Sequence, residues 1–165
     1  MRRWLFTTSA ARYSINDLRC DGVISWESGD DPESRRYIRE SMTPGDLAFL
    51  LHLDSGNLDG RDIGLAGILQ ICSDPYADAL TVRTEERGVP TYDNREGSYF
   101  IDVKFVRQFS SLILSSELYK QTELADCLRW FQLDASIVRP VTEREWENIQ
   151  MLRPLDRLYS SPSIS

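Results

Sequence analysis

The chain has 165 residues, 41% of them apolar and 27% charged, and a formal net charge of −7. That length builds one domain with a real core and is too short for two, and the composition reads as a globular protein and not a disordered or membrane one. The acidic balance excludes phosphate binding by overall basicity, while one histidine and three cysteines exclude a His-rich metal site, a disulfide framework and a multi-His proton relay.

Arg3-Trp4-Leu5-Phe6-Thr7-Thr8 reads as a short strand running into a polar turn. Ser14-Ile15-Asn16-Asp17 has the form of a capping box, in which the hydroxyl satisfies an orphan helix N–H; the helix it starts runs to about Cys20 and stops at Asp21-Gly22. Val23 to Trp26 alternates as a brief strand. Asp31-Pro32-Glu33 combines an N-cap, a proline at the first helical position and an acid on the positive end of the dipole. That second helix is expected to reach about Met42, to carry Arg35, Arg36 and Arg39, and to end in the turn Thr43-Pro44-Gly45-Asp46.

Leu47 to Leu53 is almost continuously apolar, as a strand buried on both faces should be. Ile63 to Ile71 is a second such strand, whose two glycines point to a bulge or a close approach of another backbone. Residues 73–97 read as a long polar loop holding Tyr76 and Tyr92. Tyr99, Ile101, Val103 and Phe105 then alternate in a long strand through Val106. A helix is expected over Leu118 to Phe131, a short strand over Ala135 to Val138, and a last helix capped by Thr142-Glu143-Arg144-Glu145 that carries Trp146, Ile149 and Leu152 and stops at Pro154. Residues 154–165 form a Ser/Pro-rich tail expected to be flexible, which leaves 1–153 as the domain. Mixed strands and short helices without βαβ alternation give an α+β fold on a curved antiparallel sheet or barrel.

Little in the chain compels catalysis. Gly64-Leu65-Ala66-Gly67 is not a dinucleotide fingerprint, and no phosphate-loop motif occurs. His52 sits inside the most apolar strand and reads as a hydrogen-bonded core residue. Cys20, Cys72 and Cys127 are far apart and form no CxxC pair; with His52 they add up to four zinc ligands, but at a spacing that matches no common pattern, so no metal and no cofactor is expected. No leader is visible, since Arg2-Arg3 precede only three apolar residues, and no apolar run approaches the roughly 20 residues that span a bilayer; a cytoplasmic protein is expected. Residues 1–40 are neutral, with seven Arg against seven acids, whereas residues 41–165 carry the whole net charge. Seventeen of the 19 basic residues are Arg, which suits phosphate forks and base edges and is equally what GC-rich codons give.

Several segments, taken in order, resemble the EVE domain, a PUA-like family related to the YTH and ASCH domains. They are Trp4-Leu5-Phe6, Tyr13 to Leu18, Gly22 to Trp26, Arg35 to His52 with its Pro-Gly-Asp turn, Tyr99 to Val106, and Pro140-Val141-Thr142 through Trp146. The resemblance covers most of residues 3–152 and implies a small curved β-barrel flanked by short helices. It also implies a binding module, not an enzyme, with an aromatic-lined pocket for a modified base turned out of its strand. EVE domains are associated with modified cytosines in DNA, often beside a fused or partner nuclease or motor domain of modification-dependent restriction; some are suspected of binding RNA. The chain departs from the family where K-S-E-P becomes Thr7-Thr8-Ser9-Ala10, where the residues after Trp26 become Glu27-Ser28-Gly29-Asp30-Asp31-Pro32, and where Ser98 replaces a tryptophan.

A flipped base needs a flat apolar wall and polar groups at its pairing edge. Trp26 is the expected wall, against core packing as the plain alternative. Trp4 and Phe6 share one face of the first strand; Thr7, Thr8 and Ser9 supply hydroxyls for the base edge, Glu27 and Ser28 extend the rim, and Tyr76 and Tyr92 are candidates for a second aromatic wall. Arg35, Arg36 and Arg39 form an expected phosphate contact, against a solvated helix face paired with Asp30, Asp31 and Glu33. Trp130 and Trp146 read as core anchors. The function expected is a reader of modified DNA; an RNA reader, a protein-interaction domain and a small-molecule or enzymatic pocket on the same barrel are the alternatives.

Overall fold

The computed structural model describes residues 1–29, 31–54, 64–77, 99–122, 124, 126, 127, 130 and 137–153. In chain order the elements are β1 (Arg3–Ser9), α1 (Ile15–Asp21), β2 (Val23–Glu27), α2 (Pro32–Glu40), β3 (Leu47–Asp54), β4 (Gly64–Ile71), β5 (Tyr76–Ala77), β6 (Tyr99–Ile113), α3 (Ser115–Tyr119), β7 (Val138–Val141) and α4 (Glu143–Leu152). The strands form one curled sheet in the order β2-β6-β4-β3-β1-β7, with β5 also on β6. The fold is α+β, a curled half-barrel sheet flanked by short helices. One expectation is corrected: the sheet is mixed, because β1 runs parallel to β3 while pairing antiparallel with β7. The crossover between the parallel pair is the segment α1-β2-α2, long enough for the connection a parallel pair requires.

Alternation along β1 and β3 sorts their side chains onto two faces. Trp4, Phe6, Ala48 and Leu50 join an inner cluster with Ile15, Leu18, Trp26, Ile38 and Ile101. Leu5, Phe49 and Leu51 join an outer one with Phe109, Leu118, Trp130, Trp146 and Ile149. Both faces of the central strands are therefore covered, which is why β3 is a nearly unbroken apolar run. Phe49 stacks on Trp146 with centroids 4.0 Å apart, so Trp146 and the fully buried Trp130 are core residues.

Helix starts follow the capping chemistry in the sequence. The Ser14 hydroxyl accepts from the Asp17 N–H and Asp17 accepts from the Ser14 N–H; Thr142 and Glu145 make the same reciprocal pair. Each such cap stabilises its helix by about 1 kcal/mol. Asp31 caps α2 through the Ser34 N–H at 2.9 Å, and the buried Ser34 hydroxyl in turn accepts from the Val138 N–H at 2.8 Å. This fastens the N-terminus of α2 to the edge strand.

Gly67 and Gly64 mark the expected irregularity in β4. Register shifts fall between Leu65 and Gly67 and between Ile68 and Leu69, and a Cβ on Gly67 would lie 2.3 Å from the Arg107 carbonyl oxygen. These bulges change which face β6 presents: Tyr99, Ile101, Val103 and Phe105 face the inner cluster, whereas Phe109 and Ile113 belong to the outer one. Beyond β6, the helix expected over residues 118–131 is replaced by the five-residue α3 and by 3₁₀ turns at residues 122, 124, 126, 127 and 130. Leu124, Cys127 and Trp130 are all buried at a spacing of three, the 3₁₀ period and not the α period. The short strand expected over residues 135–138 lies later, at Val138–Val141. Most of the long loop, at 78–98, and the tail 154–165 lie outside the described residues.

Two carboxylates tie distant elements together and set the response to acid. For Asp31, partial burial works to raise the pKa, but donation from Arg139 and Ser34 prevails and holds the group below its ordinary value. Glu117 is held low chiefly by Arg153, which meets it with both terminal nitrogens at 2.7 and 2.8 Å. Because both folded values are depressed, the stability they confer is complete above the unfolded carboxylate range near ~4 and is lost as pH falls through the lower folded values. Urea midpoints are therefore expected to be nearly level from about pH 7 to 5 and to drop steeply below about 4. Arg139→Ala and Arg153→Ala should each flatten that drop; an unchanged acid limb in both variants would show the two pairs to be inert.

Candidate nucleic-acid interface

The inner face has two ends. The C-terminal ends of β1 and β3 meet α1, while the end of β2 and the start of β6, which the register puts in line with the beginnings of β1 and β3, form a mouth facing α2. Phe6 and Thr8 of β1 stand opposite Leu50 and His52 of β3. His52 is buried, and its Nε2 accepts from the Ile15 N–H at 3.0 Å. The lone histidine thus fixes the first turn of α1 on the sheet, as the reading of a hydrogen-bonded core residue requires. Thr8 donates to the Tyr13 carbonyl at 3.1 Å, and the Ser9 carbonyl accepts from the N–H groups of Arg12 and Tyr13. The β1–α1 turn is therefore closed and rigid. Tyr13 donates to Asp21 at 2.7 Å, and burial together with that carboxylate pushes its hydroxyl well above the ordinary tyrosine value.

Trp26 faces Ile101 across the β2–β6 pair and meets Phe6 edge-on, with centroids 5.1 Å apart at 72°. It is 8% exposed and belongs to the inner core cluster. Next to it the chain is pinned at the buried Ser28, whose N–H donates to the Tyr99 carbonyl at 2.8 Å and whose hydroxyl accepts from the Tyr99 N–H at 3.0 Å. Gly29 follows at φ +72°, the left-handed region that turns the chain sharply toward α2. Glu27 is exposed on the rim.

The arginines of α2 approach from the other side. Arg35 points back at the Gly29 carbonyl at 3.5 Å. Arg39, one turn on, lies with its guanidinium carbon 5.6 Å from the centroid of the Tyr99 ring and 2.7 Å from Glu40. Arg36 lies over Tyr37 at 4.9 Å. The acids that begin the helix are engaged elsewhere: Asp31 and Glu33 pair with Arg139 of β7 at 2.9 and 3.7 Å. Asp30 lies outside the described residues.

Side by side along this part of the fold are Phe6 with Trp26, Ser28 with Tyr99, Arg35 with the Gly29 carbonyl and Arg39 with the Tyr99 ring, whereas Thr8 and Ser9 are bonded within the β1–α1 turn. Other candidates are placed elsewhere. Trp4 lies at the start of β1, its indole N–H donating to the buried Asp46 at 3.0 Å and its ring against Tyr37. Thr7 faces the opposite side of the sheet, bonded to the backbone of Ile137. Tyr76 is on the outer face, stacked on Phe100 and bonded through its hydroxyl to Ser25 and Asp102, because β5 pairs with the outward-facing part of β6; it is no second wall for Trp26. Tyr92 lies outside the described residues. Tyr99 was not singled out from the sequence, yet it stands at the mouth. The alternation that puts it on the face of Ile101 and Val103 was the available signal. Among the described residues no three His, Cys, Asp or Glu side chains come together to hold a metal, and no helix is long and apolar enough to cross a membrane.

The sequence model of the EVE domain matches residues 2–152. The chain belongs to the EVE domain family. Solved structures similar to this EVE domain include a Pseudomonas putida protein, 28% identical with a TM-score of 0.72, and a Pseudomonas syringae protein, 27% identical with a TM-score of 0.70. Each match covers 92% of this chain and 99% of the other. Human THYN1, solved in complex with 5-methylcytosine-containing DNA, is 24% identical over 94% of this chain and 99% of its own, with a TM-score of 0.68, and shares the fold. No protein of curated function matches the sequence.

Proposed function

We propose that this EVE domain is a nucleic-acid reader without catalytic activity that receives an extruded base at the Trp26 mouth, a modified cytosine in DNA being the ligand, and so targets a fused or partner nuclease to modified sites. The observation that carries this reading is the meeting, on an acidic protein, of the Phe6–Trp26 pair and Tyr99 with Arg35 and Arg39 of α2, where Asp31 and Glu33 are engaged by Arg139 and Glu40 meets Arg39 in an exposed pair. At a Debye length of about 8 Å, this local cluster outweighs distant carboxylates. The likeness in fold to THYN1 in its complex with methylated DNA supports it. Trp26 and Phe6 supply the apolar surface, nearby backbone the polar edge, and Arg35 and Arg39 hold the strand's phosphates. Because the indole is buried, stacking on it entails rotamer changes around it, as is common at binding interfaces.

Fluorescence anisotropy with short DNA and RNA oligonucleotides tests the proposal. The set carries unmodified, methylated and hydroxymethylated cytosine and methylated adenine, at two salt concentrations. One modified base should be preferred, and Trp26→Ala should weaken that complex about 5- to 150-fold, the range expected for lost base–aromatic stacking. Trp26 also packs on Phe6, so Trp26→Phe, with near-UV circular dichroism on both variants, separates lost stacking from lost fold. Preference for RNA would move the ligand class. Binding that is absent, or indifferent to modification and to Trp26, would overturn the reader, and loss of a nuclease-resistant pulldown in Arg35→Glu would then mark an acidic protein partner.

A further inference from the structure

Tyr99 opens β6 on the same face as Ile101, the residue opposite Trp26. It is therefore the diagonal neighbour of Trp26, about 7–8 Å away along the sheet. Its backbone is held at both polar atoms by Ser28, so the ring stands on a fixed base. The ring itself is half-buried, and Arg39 lies against it. Arg39 also meets Glu40 at 2.7 Å, but both side chains are about half exposed, and an exposed pair of this kind is a weak tie that a phosphate can replace. Glu40 and then the Tyr99 hydroxyl raise the pKa of Arg39, keeping it a permanent cation.

Arg35 and Arg39 are one helical turn apart, about 6 Å along the axis, the scale of a single nucleotide step. Arg35 is directed at the loop beside Trp26, and Arg39 at the ring of Tyr99. We infer that the Arg39–Tyr99 pair holds the nucleotide next to the extruded one, Arg39 on its phosphate and the Tyr99 ring against its base, so that the domain responds to flanking sequence as well as to the modification. This rests on the reader proposed above. It assigns Tyr99 a positioning role that is distinct from the pocket itself: Trp26 sets whether the modification is seen, and Tyr99 sets how well its neighbour is held.

The test uses DNA oligonucleotides with a single 5-methylcytosine or cytosine and each of the four bases on either side, titrated at several salt concentrations. Tyr99→Ala and the bulk-preserving Tyr99→Leu should bind about 5- to 150-fold more weakly, with the methylated-to-unmodified ratio intact and the preference among flanking bases lost. Tyr99→Phe should retain that preference. Arg39→Ala should lower the slope of log K against log salt by about 0.9 for duplex DNA, methylated or not. Wild-type binding of both Tyr99→Ala and Tyr99→Leu, beside a Trp26→Ala variant that has lost its methyl preference, overturns the assignment and leaves the reader standing. Loss of the methyl ratio in the Tyr99 variants also overturns it, placing Tyr99 in the base pocket. A wild-type chain that binds none of the oligonucleotides removes both.

Discussion

Asp46→Ala is expected to cost about 3–5 kcal/mol, because it strips the partner from several buried or half-buried donors at once, each costing about 1–3 kcal/mol when unsatisfied. Asp46 is 2% exposed. Its carboxylate accepts from the Trp4 indole N–H, the Arg2 and Thr43 backbone N–H groups and the Thr43 hydroxyl, at 3.0 to 3.3 Å. Those bonds join the start of β1 to the Thr43–Asp46 turn, which itself continues the ladder to β4 through Gly45 and Ile71. Asp46→Asn keeps one acceptor but aims an NH₂ at donors, so it should fall between wild type and alanine. Urea denaturation with two probes measures this; a loss below about 1 kcal/mol for alanine, the worth of one ordinary hydrogen bond, would show the network to be redundant.

Gly67→Ala is the second large effect. The added carbon would sit 2.3 Å from the Arg107 carbonyl oxygen and 3.1 Å from the Gln108 Cα. Both are backbone atoms of a central strand, so relief requires β6 to move away from β4 and not a side chain to rotate. A cost of about 3 kcal/mol is expected, at the upper end of overpacking. Gly22→Ala is the comparison: a Cβ there meets nothing within 4 Å, but φ is +81° with ψ −62°, so the cost is purely one of backbone conformation, at least that of the left-handed helical region, about 1–2 kcal/mol. If the two variants melt alike, the close approach at Gly67 is relieved more cheaply than its geometry implies.

Much of this architecture was legible because local chemistry and global packing agree. Ser14, Asp31 and Thr142 cap the helices they announce, and the apolar run of β3 is buried on both faces. Two kinds of feature were not legible. The parallel pairing of β1 with β3 is set by how the α1-β2-α2 crossover lies on the sheet, and nothing within either strand encodes direction. The 3₁₀ turns after α3 bury residues three apart, a spacing that at the level of sequence is also compatible with one face of an α-helix. The candidate site was half legible. Trp26 meets Phe6, and Arg35 and Arg39 reach the Gly29 carbonyl and Tyr99 beside it, whereas Thr8 is bonded in the β1–α1 turn, Arg36 lies over Tyr37, and Trp4, Thr7 and Tyr76 are spent on Asp46, Ile137 and Phe100. Tyr99 escaped notice because its role depends on Arg39, which reaches it only through the tertiary fold.

The position of β1 has a consequence for how the protein is made. The strand of this domain that is synthesised before its others lies between β3 and β7, and Thr7 is joined to Ile137 across 130 residues. Until the last strand emerges, one flank of β1 is a bare row of peptide groups, the kind of edge that recruits other chains. Folding dominated by such distant pairings is slow, so a nascent chain stalled anywhere before residue 138 exposes a ready template for aggregation, and the domain is completed only when nearly all of its matched length has been synthesised.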